Sequence, residues 1–267
     1  MPFQTIYSSG TGMLGMEKKL NTISNNLANM ETTAYKKQRC NFEDLFYDNL
    51  KYPGSQDEND EFTATGIAIG VGTRVTSVQS DMSMGPIKES DRSLDVAIGG
   101  EGFFEVMDPL TGQMMYTRAG NMSINSNGTL VIGSGHTGRI IQPEITIPQD
   151  SIHVDIRDDG GVWYKISDQI PLQLAGTMSL STFINPEGLL RVGENMYQET
   201  DASGPPIQND PGLNGVGKLM QYSVEASNVS PVVELIDMIT SQRAYELNSK
   251  STQTGDQLLQ TVISIKR

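Results

Sequence analysis

Few residues in this chain are of a type and spacing that could carry reaction chemistry. Its two histidines, His136 and His153, have no second His, Cys or acidic residue at metal-ligand spacing, so each reads as a solvated loop or strand-face residue. No nucleophile-elbow motif presents a serine for attack. Acidic residues are scattered through the turns, and no two of them stand out as a glycosidase pair. Asp158-Asp159-Gly160 resembles the start of a calcium loop but lacks the remaining ligands. Gly99, Gly100 and Gly102 do not form a phosphate loop, because no helix follows them and no Lys-Ser/Thr ends the run. Methionine is frequent and reads as core filler. Cys40 is the single cysteine, so an internal disulfide is excluded. These residues predict no catalytic group, no metal and no cofactor.

Charge narrows the partners. The chain of 267 residues has a formal net charge of −13. Basic residues lead within 1–40, acidic residues dominate 41–217, and 218–267 is balanced. An acidic surface argues against nucleic acid, whose phosphates need Lys and Arg, and favours a soluble, self-repelling monomer. No apolar run reaches the ~20 residues of a membrane span, and the N-terminus has no charged and apolar signal regions. Neither membrane insertion nor a cleavable signal peptide is expected.

With chemistry set aside, the elements at the two ends become the informative part. Ser230-Pro231 is a helix start: serine can cap an orphan N–H, and proline at the first position gives up no hydrogen bond. Val233, Ile236, Thr240, Ala244, Leu247, Ser251, Thr254 and Leu258 then recur at steps of three and four. That pattern is a helix with one narrow seam. At the other end Ile6, Met13, Leu20 and Leu27 repeat every seven residues, and Met16, Ile23 and Met30 fill the alternate positions. Gly10, Gly12 and Gly15 each weaken that helix by up to ~1 kcal/mol. It is expected to end near 28–30, where Asn25, Asn26 and Asn29 read as a cap with solvated neighbours. Two amphipathic helices packed on the chain's own core would be the plain reading. Because the seams lie at opposite ends of the chain, a shared helical hairpin or small coiled coil is preferred.

Between the ends the period changes. Residues 41–73 read as an extended arm or loop, with apolar Phe46, Tyr47, Leu50 and Tyr52 before Pro53-Gly54 and an acidic run at 57–61. From 74 to 217 short alternating runs separated by Gly and Pro predict many strands. Asn127-Gly128 marks a hairpin with positive φ at both central residues, and the turn at 158–161 marks a second. The predicted class is α+β. A helical layer is built from 1–40 and 218–267, and a β-rich middle domain covers 74–217.

Specific motifs then point to a family. The run SNNLAN with Thr33, Tyr35 and Lys36, covering Asn25, Asn26, Leu27, Ala28 and Asn29, resembles the N-terminal signature of bacterial flagellar axial proteins. The usual pattern has Gly where this chain has Ala34. The stretch SNVSPVVELIDMITSQRAYELNSK, with Gln242, Arg243, Ala244 and Tyr245, is similar to that family's closing helix. LDVAIGGEGFFEV and the segment Tyr116-Thr117-Arg118-Ala119-Gly120 resemble its centre, and Glu225-Ala226-Ser227-Asn228-Val229 is similar to its distal-rod branch.

The resemblance implies a non-enzymatic subunit that self-assembles into a helical homopolymer, the distal rod, a rigid shaft carrying torque from motor to hook. A proximal rod or hook subunit is the alternative within the family, and a stalked β-rich enzyme or glycan-binding module the alternative outside it. It also implies partners: proximal rod proteins, hook protein, ring proteins and the flagellar type III export apparatus. The location it implies is the basal-body rod in the periplasm. Ile6, Met13, Leu20, Ile23, Leu27, Met30, Val233, Ile236, Thr240, Ala244, Leu247 and Leu258 would form the subunit seam. Phe46, Tyr47, Leu50 and Tyr52 would dock an arm on a neighbour and oppose bending.

Overall fold

The computed structural model describes residues 2–54, 65–109, 111–133, 138–167 and 171–265. The chain divides into two compact units. One holds 1–28, 38–80 and 230–267, the other 29–37 and 81–229. The class is α+β, with the two terminal helices paired in the first unit and the β-rich middle in the second.

In the first unit, α1 (Pro2–Ala28) and α2 (Pro231–Ile265) run antiparallel. Ser9 Oγ lies 3.1 Å from Ser251 Oγ at one end. At the other, Asn26 Nδ2 donates to Glu234 Oε2 at 3.1 Å. The helix starts and stops where local chemistry directs. Glu234 N–H donates to Ser230 O at 3.1 Å to open α2. A turn in which Thr32 N–H donates to Asn29 O at 3.2 Å follows α1.

The face that α2 buries is small and polar. Glu234, Ser241 and Gly255 are its buried residues, with half-buried Asn248 completing a seven-residue repeat. Opposite them α1 buries Ser9, Gly12, Ile23 and Asn26. Small residues let the two backbones approach. A Cβ on Gly12 would stand 2.9 Å from Asn248 Nδ2, and one on Gly15 would stand 2.9 Å from the Phe42 ring. Gly10 has nothing within 4 Å.

The segment expected to be an extended arm is a paired ribbon. β1 (Gln38–Asp44) pairs antiparallel with β4 (Thr73–Ser80), Gln38 facing Ser80 and Asp44 facing Thr73. Beyond them β2 (Tyr47–Lys51) pairs with β3 (Ile67–Gly70). The boundary placed at 74 therefore falls inside a strand pair, and β4 stays with the helices. The acidic run at 57–61 lies outside the described residues.

Among the described residues the second unit holds sixteen strands. β5 (Ile87–Glu89) and β6 (Val96–Gly99) lead to β7 (Phe103–Met107), β8 (Met114–Thr117), β9 (Met122–Ile124), β10 (Leu130–Ile132) and β11 (Arg139–Gln142). β12 (His153–Ile156), β13 (Gly161–Lys165) and β14 (Gln173–Thr177) form a three-stranded sheet. β15 (Leu180–Thr182), β16 (Leu190–Gly193), β17 (Met196–Gln198) and β18 (Ile207–Asn209) follow. β19 (Lys218–Gln221) pairs with β6, and β20 (Ser223–Glu225) pairs with β5. The main sheet runs β16-β17-β8-β7-β11-β10-β9, and β15 joins β7 to β18.

Alternation on β7 sorts its side chains. Phe104 and Val106 enter the core with Val96, Ile98, Leu130 and Ile147. Phe103 points the other way, into an aromatic cluster with Tyr116, Phe183 and Tyr197. Because β19 and β20 complete two-stranded sheets here, the β unit extends to 229 and not to 217.

Both expected hairpins form, with one change of turn. The loop after Ile124 has five residues, and only Gly128 has positive φ, at 81°. Asn125 Oδ1 accepts from the N–H groups of Asn127 and Thr129, each at 2.9 Å, which replaces the tight two-residue turn. Gly160, at φ 87°, turns β12 into β13.

The three glycines of α1 should respond differently to alanine. Gly10→Ala is expected to stabilise the helical unit by about 0.5–1 kcal/mol through helix propensity alone. Gly12→Ala and Gly15→Ala should forfeit that gain or reverse it, because the new methyl displaces Asn248 or Phe42. Urea unfolding of the three variants checks the ranking.

Candidate functional site

The residues expected to form a seam fall on two different surfaces. On α1, Ile23 is buried and Ile6, Met13, Leu20 and Leu27 are half-buried. Met30 lies past the end of the helix and is exposed. On α2, Ala244 is half-buried but Val233, Thr240 and Leu258 are exposed. Ile236 and Leu247 are 56% and 66% exposed. The α2 stripe 233/240/247 sits one residue before the buried 234/241/248 stripe, about 100° round the helix. The two helices therefore meet through the polar stripe, and the apolar one faces outward with Val232, Leu235 and Ile239. On the ribbon, Phe46 is 85% exposed, and Tyr47, Leu50 and Tyr52 are exposed as well.

The signature residues are mixed in placement. Asn25, Ala28, Gln242, Arg243 and Tyr245 are exposed, and Asn29 and Thr33 are half-buried. Asn26 is only 1% exposed. It is not a solvated neighbour of a cap. Its Oδ1 accepts from Gln38 N–H at 2.9 Å, its Nδ2 donates to Gln38 O at 2.8 Å, and the same amide reaches Glu234. The amide thus reads the backbone of β1, and ties it to α2.

Tyr35 and Lys36 are buried in the β unit, at an ionic cluster that the motifs contained but did not announce. Lys36 Nζ lies 2.6 Å from Glu225 Oε1, and Arg118 Nε lies 2.7 Å from Glu225 Oε2. Backbone groups supply further partners. Gly85 N–H donates to Glu225 Oε1 at 2.8 Å, and Lys36 Nζ donates to Ser83 O at 2.6 Å. Arg118 donates to Gly102 O at 2.9 Å and Gly100 O at 2.8 Å.

Burial raises the Glu225 carboxyl, but Arg118, Lys36 and the Gly85 N–H outweigh it and hold the pKa below its ordinary value. Burial, with Arg118 beside it, lowers Lys36 against the opposing pull of Glu225. Burial, with Glu105 and Glu199 adding to it, pushes the Tyr116 phenol up to about 12. Burial raises Tyr197 as well. Neither phenol exchanges a proton near neutrality.

Ala34 stands at φ 56°, in the left-handed region, with its N–H donating to Glu225 O at 2.8 Å. That is the geometry a glycine adopts without strain, which explains the glycine usual at this place. Of the two histidines, His153 is exposed opposite Lys165 on β12, and His136 lies outside the described residues. Among the described residues no group of three His, Cys, Asp or Glu could hold a metal ion, and no helix is long and apolar enough to cross a membrane.

A helical pair made from the two chain ends, a β insert closed by a buried ion cluster, and apolar stripes left outward define a structural subunit. Comparisons with known proteins give the family. The model described as "Flagella basal body rod protein" matches residues 6–36. "Flagellar hook protein FlgE/F/G D1 domain" matches 97–164, and "Flagellar basal body rod FlgEFG protein C-terminal" matches 220–265.

The flagellar basal-body rod protein FlgG of Buchnera aphidicola subsp. Schizaphis graminum is 44% identical over 96% of this chain and 97% of its own. That of Caulobacter vibrioides is 39% identical over 98% and 99%, and that of Bacillus subtilis 34% over 99% and 99%. The chain belongs to the flagellar basal-body rod protein family.

The ion cluster makes stability depend on pH in a stated direction. A carboxyl with a lowered folded pKa contributes fully above its unfolded value and loses that contribution as pH falls through the folded one. Replacing Glu225 by Gln strands two buried cations and should cost about 3–5 kcal/mol at pH 7. The gap from wild type should shrink as pH drops below the ordinary carboxylate value of 4.5. Denaturant melts from pH 7 to pH 3 measure it.

Proposed function

We propose that this protein is a structural subunit that self-assembles into the distal rod of the bacterial flagellar basal body. Near-full-length similarity to basal-body rod proteins carries this reading. The rod would be a rigid shaft transmitting torque from motor to hook. Its partners would be further copies of the chain, proximal rod proteins, hook protein and the surrounding ring proteins. Export would run through the flagellar type III apparatus, to a basal-body location across the periplasm.

The outward stripe Val233, Ile236, Thr240, Leu247 and Leu258 on α2, with Met13, Leu20 and Leu27 on α1, is the proposed contact between copies. Its exposed aliphatic members, Val233, Ile236, Leu247 and Leu258, each contribute about 1.5–3 kcal/mol once buried by a neighbour. Phe46, Tyr47, Leu50 and Tyr52 on the ribbon are proposed to dock on an adjacent subunit. Locking neighbours in that way opposes the sliding that bending requires.

Electron microscopy of the purified protein at high concentration should show straight rods, and Ile236→Asp or Leu247→Asp should abolish them. Both positions are exposed, so the monomer's stability should stay within about 0.5 kcal/mol of wild type. Compact oligomers in place of filaments would overturn the assembly reading.

The helical pair is also proposed to order fully only on assembly. The face shared by α1 and α2 is rich in Ser, Gly, Asn and Glu, so its burial barely offsets the ~1–2 kcal/mol per residue of backbone ordering. Amide exchange in a dilute monomer should be fast in 2–28 and 231–265 and slow in the β unit. Slow exchange in both helices would remove coupled folding from the account.

A further inference from the structure

Residues 29–37 contain neither helix nor strand, yet Ala34, Tyr35 and Lys36 are 2%, 8% and 0% exposed. The β unit receives them as a groove receives a peptide. Ala34 N–H donates to Glu225 O at 2.8 Å, and Lys37 O accepts from Asp81 N–H at 2.8 Å. Lys37 N–H donates to Asn228 Oδ1 at 2.7 Å. Thr33 O accepts from Asn195 Nδ2 at 3.1 Å. The Arg191 guanidinium stacks 5.2 Å over the Tyr35 ring and donates to Lys36 O. Lys36 then supplies the second cation to Glu225.

The groove is narrow by construction. A Cβ on Gly85 would come within 2.0 Å of Ala226 O, so the 81–86 and 225–228 segments are held against one another with no side chain between them. The Asn228 amide ties the same two segments, donating to Asp81 O at 3.0 Å and Ser83 O at 3.2 Å.

We propose that residues 29–37 are a clasp for which the β unit holds a dedicated site, and that the core of that unit closes only when the clasp is seated. Without it Glu225 and Arg118 face an unfilled hole, and the carbonyl of Ser83 loses its cation. Segments near 36, 118 and 225 must be present together for the whole cluster to form. The β unit therefore cannot be completed by a chain that stops short of 229 or lacks the strap. A chain delivered from its N-terminus stays open until nearly all of it is available.

The test is hydrogen exchange by mass spectrometry on full-length protein. Lys36→Met leaves Glu225 paired with Arg118 but removes the charged donor to Glu225 Oε1 and Ser83 O, and should speed exchange in β6, β7 and β19 by about 10–10²-fold. The helices and the β1–β4 ribbon should exchange at wild-type rates. Asn228→Ala strands no charge and should give the same pattern at about tenfold. If either variant loosens only 29–37 while β6 and β7 keep wild-type protection, the strap is a passenger and the proposal fails. Equal acceleration in the helical unit, meaning general destabilisation, would overturn it as well.

Discussion

A single carboxylate, that of Glu225, is the constraint on which the β unit depends. It lies in a site with almost no solvent, between Lys36 and Arg118. Taking three charges out of water costs several kcal/mol per ion, and an ion pair in that setting is favourable only when every remaining donor and acceptor is matched. The fold meets that demand with backbone. Carbonyls at 83, 100 and 102 and an N–H at 85 surround the cluster, and glycine at 85, 100 and 102 brings the main chain close enough. The cluster is weak evidence for extra stability and stronger evidence for uniqueness. An apolar core can tolerate slips in packing, but a misplaced Lys36 leaves Glu225 with one of its two cations and the Ser83 carbonyl without its charged donor.

The helical unit is held by a different balance. Its two helices share a face of Ser, Gly, Asn and Glu, with Ile23 the single large aliphatic among the buried residues of that face. Asn26 fixes the register by exchanging two hydrogen bonds with the backbone of Gln38 and a third with Glu234. Such contacts specify alignment better than they supply free energy. Most large aliphatic side chains of α2 stay exposed. Within one chain, alignment and adhesion are carried by different stripes of the same helix.

The sequence made much of this legible. Ser230-Pro231 marks the start of α2 and the asparagine cluster marks the end of α1, because capping chemistry is local. The turns at Gly128 and Gly160 follow from positive φ. The face on which the helices meet was not legible. Periodicity places 233/240/247 on one line and 234/241/248 on the next, and hydrophobicity favours the first although the chain itself uses the second. The ribbon at 38–51 and 67–80 was hidden for a related reason: its strands hold no fully buried residue and show little alternation between apolar and polar ones. Asn26 was read as a cap residue because its role depends on Gln38 and Glu234, and the latter is more than two hundred residues away. The ion cluster drew on three motifs that each looked like a separate family mark, with nothing local to say that their charges meet.

The one-residue offset between the two stripes of α2 also explains why the exposed stripe does not simply collapse onto α1. Rotating α2 by one position would bury Val233 and Leu247 but carry Glu234 and Ser241 toward solvent, and Asn26 would lose its carboxylate partner. Asn26 would keep its two bonds to Gln38 but leave one buried amide N–H without an acceptor, at a cost of about 1–3 kcal/mol. The apolar gain would fall on a face whose neighbours on α1 are Ser and Gly, too small to fill the space around a Leu, and a poorly filled contact forfeits part of its dispersion energy. The polar stripe therefore holds the apolar one outward. In the proposed assembly a second copy presenting its own apolar stripe would fill that space where the first helix cannot, so the arrangement that aligns the pair within a chain would be the one that leaves it open to association.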